Sequence, residues 1–191
     1  MIKQTRVEMG EQSLESTRYG DDYLSEFRRI ILAHVRPVTR AFLEWGAGNT
    51  SLAIAEMREE LSVDRLTTID DNADYLAAVR RQLSWWSGFE AHHADLMGPK
   101  LSDRDPEANY ATLPLTWGRT FDFIYIDGRR RLECALVAWL VGHSQTIVAI
   151  HDYRRGRYQP VKALFDIIED GPQFRVMRAK DRIDRGAGAG L

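Results

Sequence analysis

The chain has 191 residues, of which 44% are hydrophobic, and a formal net charge of −2. These values predict one domain, residues 1–191, with a substantial core, and no stretch approaches the roughly 20 apolar residues that span a membrane. The small net charge argues against a general polyanion-binding surface, so we expect neither a membrane nor a nucleic acid as partner. Cys134 is the single cysteine, which excludes an intrachain disulfide and, with a polar amino terminus, favours a cytoplasmic protein.

The first part of the chain, residues 1–36, is predicted to form a helical cover over a sheet. Its apolar positions follow helical spacing and are Tyr23, Phe27, Ile30, Ile31 and His34. The polar residues 1–20 show little periodicity and could instead cover a ligand cleft.

A short apolar strand then ends near Glu44 and leads into a loop with Gly46 and Gly48. Glycine lets a backbone turn tightly and approach a ligand closely. Thr50 and Ser51 can cap the helix that follows. Because a bare Gly-x-Gly also occurs in structural turns, this loop alone leaves a ligand site and a plain turn about equally supported.

Four later strands are predicted from apolar segments, and each ends in an acidic residue. The four acids are Asp70, Asp95, Asp127 and Asp152. Parallel strands have their carboxyl ends at one edge of the sheet, where such sheets bind ligands, so we expect these acids to lie near Glu44. Aspartate is also common in turns, and one or two of the four could be turn residues only.

The segments between the strands show helical periodicity. Their apolar faces are Tyr75, Leu76, Val79, Leu83 and Trp86; Leu132, Ala135, Leu136, Trp139 and Leu140; and Val161, Leu164, Phe165 and Ile168. This alternation predicts an α/β fold, a Rossmann-like three-layer sandwich whose mostly parallel sheet carries helices on both faces.

Two regions interrupt the alternation. Residues 97–120 contain three prolines together with Tyr110, Leu113, Leu115 and Trp117, and form either a lid or substrate wall or an ordinary surface loop. After Gly171, only residues 173–180 have a clear strand pattern, so the last antiparallel strand of the sheet is expected to be shortened or missing before a flexible tail at 186–191.

The ordered set of motifs resembles the class I methyltransferases that use S-adenosylmethionine. It comprises Glu44-Trp45-Gly46-Ala47-Gly48-Asn49-Thr50-Ser51, Asp70, Ile126-Asp127-Gly128 and His151-Asp152-Tyr153, within about residues 38–170. The last two motifs look like the small-molecule O-methyltransferase branch that includes the catechol and macrolide-sugar types.

The resemblance implies S-adenosylmethionine as the cofactor. The methionine end would contact Gly46, Ala47, Gly48, Asn49, Thr50 and Ser51, with Glu44 in support. Asp70 would bind the ribose hydroxyls, and Asp95 would contact the adenine amino group.

The acids of the fourth and fifth strands have three interpretations. Asp127 and Asp152 could together hold Mg²⁺, with His151 or an acceptor oxygen completing the coordination shell. Alternatively, His151 or Asp152 is a catalytic general base. Each residue alone could also be structural.

Six arginines follow the same two strands: Arg129, Arg130, Arg131, Arg154, Arg155 and Arg157. Guanidinium groups bind carboxylate and phosphate bidentately, so we predict a small anionic acceptor bound by Arg129, Arg131 and Arg155. Arg129 and Arg131 are better placed than Arg130 if this segment is extended. A solvated basic rim is the alternative.

The combined prediction is an enzyme that transfers a methyl group from S-adenosylmethionine to an oxygen of a small anionic acceptor. An NAD(P)-binding oxidoreductase is one rival, although Ser51 stands where the dinucleotide fingerprint has its third glycine. A catalytically idle S-adenosylmethionine-binding module is another.

Overall fold

A computed structural model describes residues 21–35, 40–96 and 110–180 of the chain. The α-helices are α1 (Asp21–His34), α2 (Asn49–Glu56), α3 (Arg58–Leu61), α4 (Ala73–Gln82) and α5 (Arg131–Val141). The strands are β1 (Ala41–Trp45), β2 (Arg65–Asp70), β3 (Phe89–His93), β4 (Phe121–Ile126), β5 (Gly142–His151), β6 (Phe165–Asp170) and β7 (Phe174–Ala179). Two 3₁₀ helices span Leu113–Trp117 and Gly156–Ala163.

The strands form one seven-stranded sheet in the order β3-β2-β1-β4-β5-β7-β6. The first five strands in this order are parallel, and β7 runs antiparallel to both β5 and β6. Because the chain reverses its direction of travel across the sheet after β3, the loops that follow β1 and β4 diverge at this switch point and leave a crevice. The predicted mostly parallel α/β fold is confirmed.

The central strands are buried on both faces, as expected of parallel strands covered by helices. In β4, Phe123 and Tyr125 pack on the face that α1 and α2 cover, whereas Ile124 and Ile126 face the side of α5. The single sheet thus separates two apolar layers, which confirms the three-layer sandwich.

The predicted helical cover is present as α1. Its apolar side chains Tyr23, Phe27, Ile30 and Ile31 are buried against the sheet. Residues 1–20, which were expected to complete the cover, lie outside the described residues, as do the tail at 186–191 and residues 97–109 of the predicted lid. The described remainder of that segment packs onto the core through Tyr110, Leu113 and Pro114.

Two predictions about the second half of the chain are wrong. The segment at 161–168 is not a helix, because a 3₁₀ helix ends at Ala163 and β6 follows, where Phe165 is buried and the next three side chains are exposed. The terminal strands are not shortened, since β6 and β7 have six residues each. Pairing with β7, which local periodicity does not encode, stabilises β6 as an edge strand.

The predicted apolar face of α5 is also out of phase. Leu132, Leu136 and Leu140 are 36%, 47% and 43% exposed, and smaller side chains at the intervening positions face the sheet. The buried residues are Cys134, Ala135, Val137, Ala138 and Val141. No helix in the described ranges is long and apolar enough to cross a membrane.

Candidate functional site

The strand-end acids converge at the carboxyl edge of the sheet, as the sequence predicted. Glu44 lies within β1 beside Tyr125 of β4, and Asp70 ends the neighbouring strand β2. Asp127 and Asp152 directly follow β4 and β5, which pair with each other. Asp95 lies two residues beyond β3, toward the sheet edge, and is exposed.

The glycine loop is packed tightly against the loop that follows β4. Gly46 has a φ of 101°, and its amide donates to the carbonyl of Ile69 at 2.9 Å. A Cβ at Gly46 would lie 2.8 Å from the amide nitrogen of Gly128. Gly46 is therefore required by the backbone turn and by its neighbour, and Gly48 precedes α2 as its N-cap.

Glu44 is fully buried beneath this loop, and its carboxylate accepts hydrogen bonds from three hydroxyls. The donors are Thr50, Ser51 and Thr68. Burial raises the pKa of Glu44 to about 7, although these hydrogen bonds oppose the rise. The three hydroxyls thus satisfy the hydrogen-bonding needs of the buried Glu44 carboxylate. Glu44 therefore does not need a cationic ligand as its partner.

Asp70 connects the end of β2 to the glycine loop. Its Oδ2 accepts the amide of Ala47 and its Oδ1 accepts the amide of Asn72, each at 2.8 Å. Burial raises the pKa of Asp70, while these two hydrogen bonds lower it. A carboxylate oxygen can accept more than one hydrogen bond, so both oxygens retain capacity for ligand hydroxyls.

Asp127 forms the centre of a second buried cluster. Its Oδ1 lies 2.7 Å from His151 Nδ1, and its Oδ2 lies 2.7 Å from the hydroxyl of Tyr23 and 3.1 Å from that of Tyr125. Burial raises the pKa of Asp127, but His151 and Arg131 outweigh burial and hold that pKa below its usual value. The ionised carboxylate accepts from Nδ1, which assigns the Nδ1–H tautomer to a neutral His151.

Arg131 joins the ends of β4 and β5. It donates to the carboxylate of Asp127 at 2.9 Å, to the carbonyl of Gly128 at 3.0 Å and to the carbonyl of His151. Asp152 has a φ of 59°. Its Oδ2 lies 2.6 Å from the guanidinium of Arg155 and 3.6 Å from that of Arg131. The predicted substrate ligands Arg131 and Arg155 therefore already have carboxylate partners within the site.

The proposed magnesium pair does not fit this geometry. Asp127 is surrounded by a histidine, an arginine and two tyrosine hydroxyls, and Asp152 faces two guanidinium groups. In the described ranges, no group of three histidine, cysteine, aspartate or glutamate residues could hold a metal ion. Cationic partners at both carboxylates take the place that a divalent cation would need.

Five of the six arginines that follow β4 and β5 line one cavity of about 430 Å³, and the sixth, Arg154, lines a smaller one. Its lining comprises Gly128, Arg129, Arg130, Arg131, Leu132, Glu133, Arg155, Arg157 and Tyr158. The segment is not extended, because Arg130 has a φ of 47° and precedes α5 as its N-cap. The premise that favoured Arg129 and Arg131 over Arg130 is therefore wrong. His151, Asp152 and Arg155 help to line a smaller neighbouring cavity of about 130 Å³.

Sequence reasoning missed the role of three tyrosines. Tyr23 and Tyr125 were assigned to packing or to a strand, yet their hydroxyls lie 2.6 Å apart beside Asp127. The hydroxyl of Tyr110 lies 3.3 Å from the amide of Arg129 and occupies the space where Gly128 lacks a Cβ. The sequence could have indicated these roles only through residue type, because a buried tyrosine, unlike a buried phenylalanine, needs a polar partner.

Comparison with known proteins supports the fold. No protein-family model and no curated protein matches the chain. A methyltransferase-like protein from Silicibacter pomeroyi has a TM-score of 0.61 at 16% identity, over 82% of this chain and 84% of that one. The N-methyltransferase NodS from Bradyrhizobium japonicum, solved with S-adenosyl-L-homocysteine, has a TM-score of 0.59 at 12% identity, over 88% of this chain and 91% of NodS.

A ribosomal protein L11 methylase from Lactobacillus delbrueckii has a TM-score of 0.58 at 12% identity, over 85% of this chain and 81% of that one. Because these neighbours include an N-methyltransferase and a ribosomal protein methylase, the comparisons do not single out the small-molecule O-methyltransferase branch. What the neighbours share is the architecture: the chain has the Rossmann-like α/β fold of the class I methyltransferases.

Proposed function

We propose that the protein is an S-adenosylmethionine-dependent methyltransferase that acts on an oxygen of a small anionic acceptor. The observation that carries this proposal is the 2.8 Å hydrogen bond from the Ala47 amide to Asp70. It joins a glycine loop and a strand-end carboxylate into one unit at the carboxyl edge of a methyltransferase-type sheet.

The cofactor would lie across this unit. Asp70 would accept ribose hydroxyls, the loop from Gly46 to Ser51 would border the methionine end, and Asp95 would meet the adenine. Glu44 would act indirectly, because its hydrogen bonds hold Thr50 and Ser51 at the start of α2. The cofactor supplies a sulfonium methyl group for an in-line displacement.

The acceptor would enter from the arginine side. Gly128 contacts the glycine loop and also lines the arginine cavity, so the two parts of the site adjoin at this residue. An anionic group in that cavity would be held by guanidinium groups while the reactive oxygen faces the cofactor.

The Asp127–His151 pair supplies the base that a hydroxyl acceptor needs. Asp127 fixes the proton on Nδ1, and Nε2 lies 4.0 Å from Oδ1 of Asp152. Both His151 and Asp152 are among the residues that line the smaller cavity. Proton removal at Nε2 would form an imidazolium between two carboxylates, which stabilise its charge. This arrangement favours oxygen, because a hydroxyl is a weak nucleophile until its proton is taken.

Calorimetric titration with S-adenosylmethionine and with NAD tests the proposal. We expect S-adenosylmethionine to bind and NAD not to bind. Asp70→Asn should weaken the binding of S-adenosylmethionine about tenfold, because it removes a hydrogen bond to a charged group. Asp74→Asn, an exposed acid in the first turn of α4, is the matched control.

Turnover is then measured as release of S-adenosylhomocysteine over carboxylated and phosphorylated metabolites, with and without a chelator. Binding of NAD instead of S-adenosylmethionine would indicate an oxidoreductase. Binding of S-adenosylmethionine without release for any acceptor would favour the idle module.

A further inference from the structure

The arginine cavity contains more positive charge than the surrounding protein neutralises. Five arginines line it. Arg131 is paired with Asp127 and Arg155 with Asp152, and Arg129 lies 3.9 Å from Asp71. These three guanidinium groups therefore have nearby carboxylates.

Arg130 and Arg157 differ from the other three. Neither has a carboxylate within ion-pair distance in the described part of the chain. The guanidinium of Arg157 lies 4.8 Å from the ring centre of Tyr158, which is only 8% exposed. No hydrogen bond to the Tyr158 hydroxyl is found among the described residues. One wall of the cavity therefore presents the Arg157 guanidinium, which contacts the Tyr158 ring, and the Tyr158 hydroxyl, which can bind a ligand.

Glu133 is the single acid among the described residues that line the cavity. It is exposed and occupies the first turn of α5, where a carboxylate offsets the positive end of a helix. The helix terminus therefore adds little to the potential of the cavity, and the excess positive charge comes from Arg130 and Arg157, which have no carboxylate partner among the described residues. Glu133 opposes an anion in the cavity, which gives the site a residue whose removal should strengthen binding.

We propose that Arg130 and Arg157, with Tyr158, bind a phosphate monoester on the acceptor. Two unpaired guanidinium groups match a group with about two negative charges near neutral pH, whereas a monocarboxylate or a phosphodiester offers one. A volume of about 430 Å³ lies in the range for small-molecule sites. The role of this group as part of the acceptor rests on the proposed methyltransferase function, but its binding does not.

Direct titration of the whole chain, without cofactor, tests the site. The probes are phenyl phosphate, benzoate and diphenyl phosphate at pH 7.5. We expect phenyl phosphate to bind at least tenfold more tightly than either monoanion. Arg130→Gln and Arg157→Gln should each weaken phenyl phosphate about tenfold or more, and Glu133→Gln should strengthen it. Arg81→Gln, an exposed charge change on α4, should leave it unchanged.

The pH dependence gives a second readout. The affinity for phenyl phosphate should fall below about pH 6, because the phosphate gains a proton while arginine does not. Circular dichroism and thermal melting establish that each variant is folded. Equal affinity for benzoate and phenyl phosphate would overturn the proposal, as would wild-type affinity in folded Arg130→Gln and Arg157→Gln. Failure of S-adenosylmethionine to bind, with phosphate binding intact, would instead overturn the proposed function.

Discussion

Glu44 should make the protein less stable as pH rises from about 4.5 to about 7. Its pKa is about 7 in the folded protein, against an ordinary value of 4.5, because burial disfavours the charged carboxylate. A raised carboxyl pKa means that the folded state binds the proton more tightly than the unfolded state does. The free energy of unfolding therefore decreases between about pH 4.5 and pH 7, and the loss is complete above pH 7.

The size of this effect follows from the two pKa values. A rise from 4.5 to about 7 corresponds to about 3 kcal/mol of unfolding free energy between pH 4 and pH 8. Glu44→Gln removes the titration and keeps the side-chain shape. The stability of the wild type relative to Glu44→Gln should therefore fall by about 3 kcal/mol over this interval.

Urea unfolding followed by tryptophan fluorescence measures the difference, because Trp45 is buried in the core. Subtracting the unfolding free energy of the variant from that of the wild type at each pH cancels the contributions of the other carboxylates. Glu60→Gln, at an exposed position of α3, is the matched control and should show no such trend. If the relative stability of Glu44→Gln is constant from pH 4 to pH 8, then the three hydroxyls fully offset burial and the pKa of Glu44 is not raised.

Three further substitutions test the packing of the site, each by urea unfolding. Asp127→Asn should cost about 3 kcal/mol at pH 7, because it removes the carboxylate that pairs with Arg131 and accepts from His151. The deficit should shrink as pH falls from 3.8, the ordinary aspartate value, toward the lowered pKa of Asp127, and equal deficits at pH 7 and pH 3 would contradict this. Gly128→Ala should cost at least about 2 kcal/mol, because its Cβ would lie 1.7 Å from the Tyr110 hydroxyl. Adding Tyr110→Phe should restore part of this loss. If the effects of the two substitutions on the unfolding free energy are simply additive, that contact is refuted. Tyr23→Phe should cost about 1–2 kcal/mol by removing contacts to Tyr125 and Asp127, and a neutral result would contradict this.

The sequence was sufficient to place the acids at one edge of the sheet. Strand-end positions follow from apolar runs, and parallel strands must present those ends together, so Glu44, Asp70 and Asp127 could be grouped without coordinates. Their partners could not be predicted. The hydroxyl of Thr68, which bonds Glu44 at 2.7 Å, lies on another strand, and only the register of β1 with β2 brings the two together.

The errors have a common physical origin in contacts distant along the chain. Residues 161–168 have apolar positions that suit a helix, but pairing with β7 determines their conformation. Likewise, the prediction that Arg129 and Arg131 point to the same side assumes an extended segment, in which alternate residues share a face. Because Arg130 adopts a φ of 47°, the chain bends there and the next arginine turns inward to Asp127.

The carboxylates at this edge belong to two environments with opposite consequences for protonation. Glu44 has hydroxyl partners only, and its pKa rises to about 7, whereas Asp127 has a histidine and an arginine, and its pKa falls. The charge of Asp127 itself contributes to the rise at Glu44. Near neutral pH the ionised acid is therefore Asp127, beside His151, while Glu44, beneath the glycine loop, is close to half-protonated. Separated pKa values of this kind indicate different roles for two nearby carboxyl groups. In the function that we propose, Asp127 would orient the base His151, and Glu44 would stabilise the glycine loop.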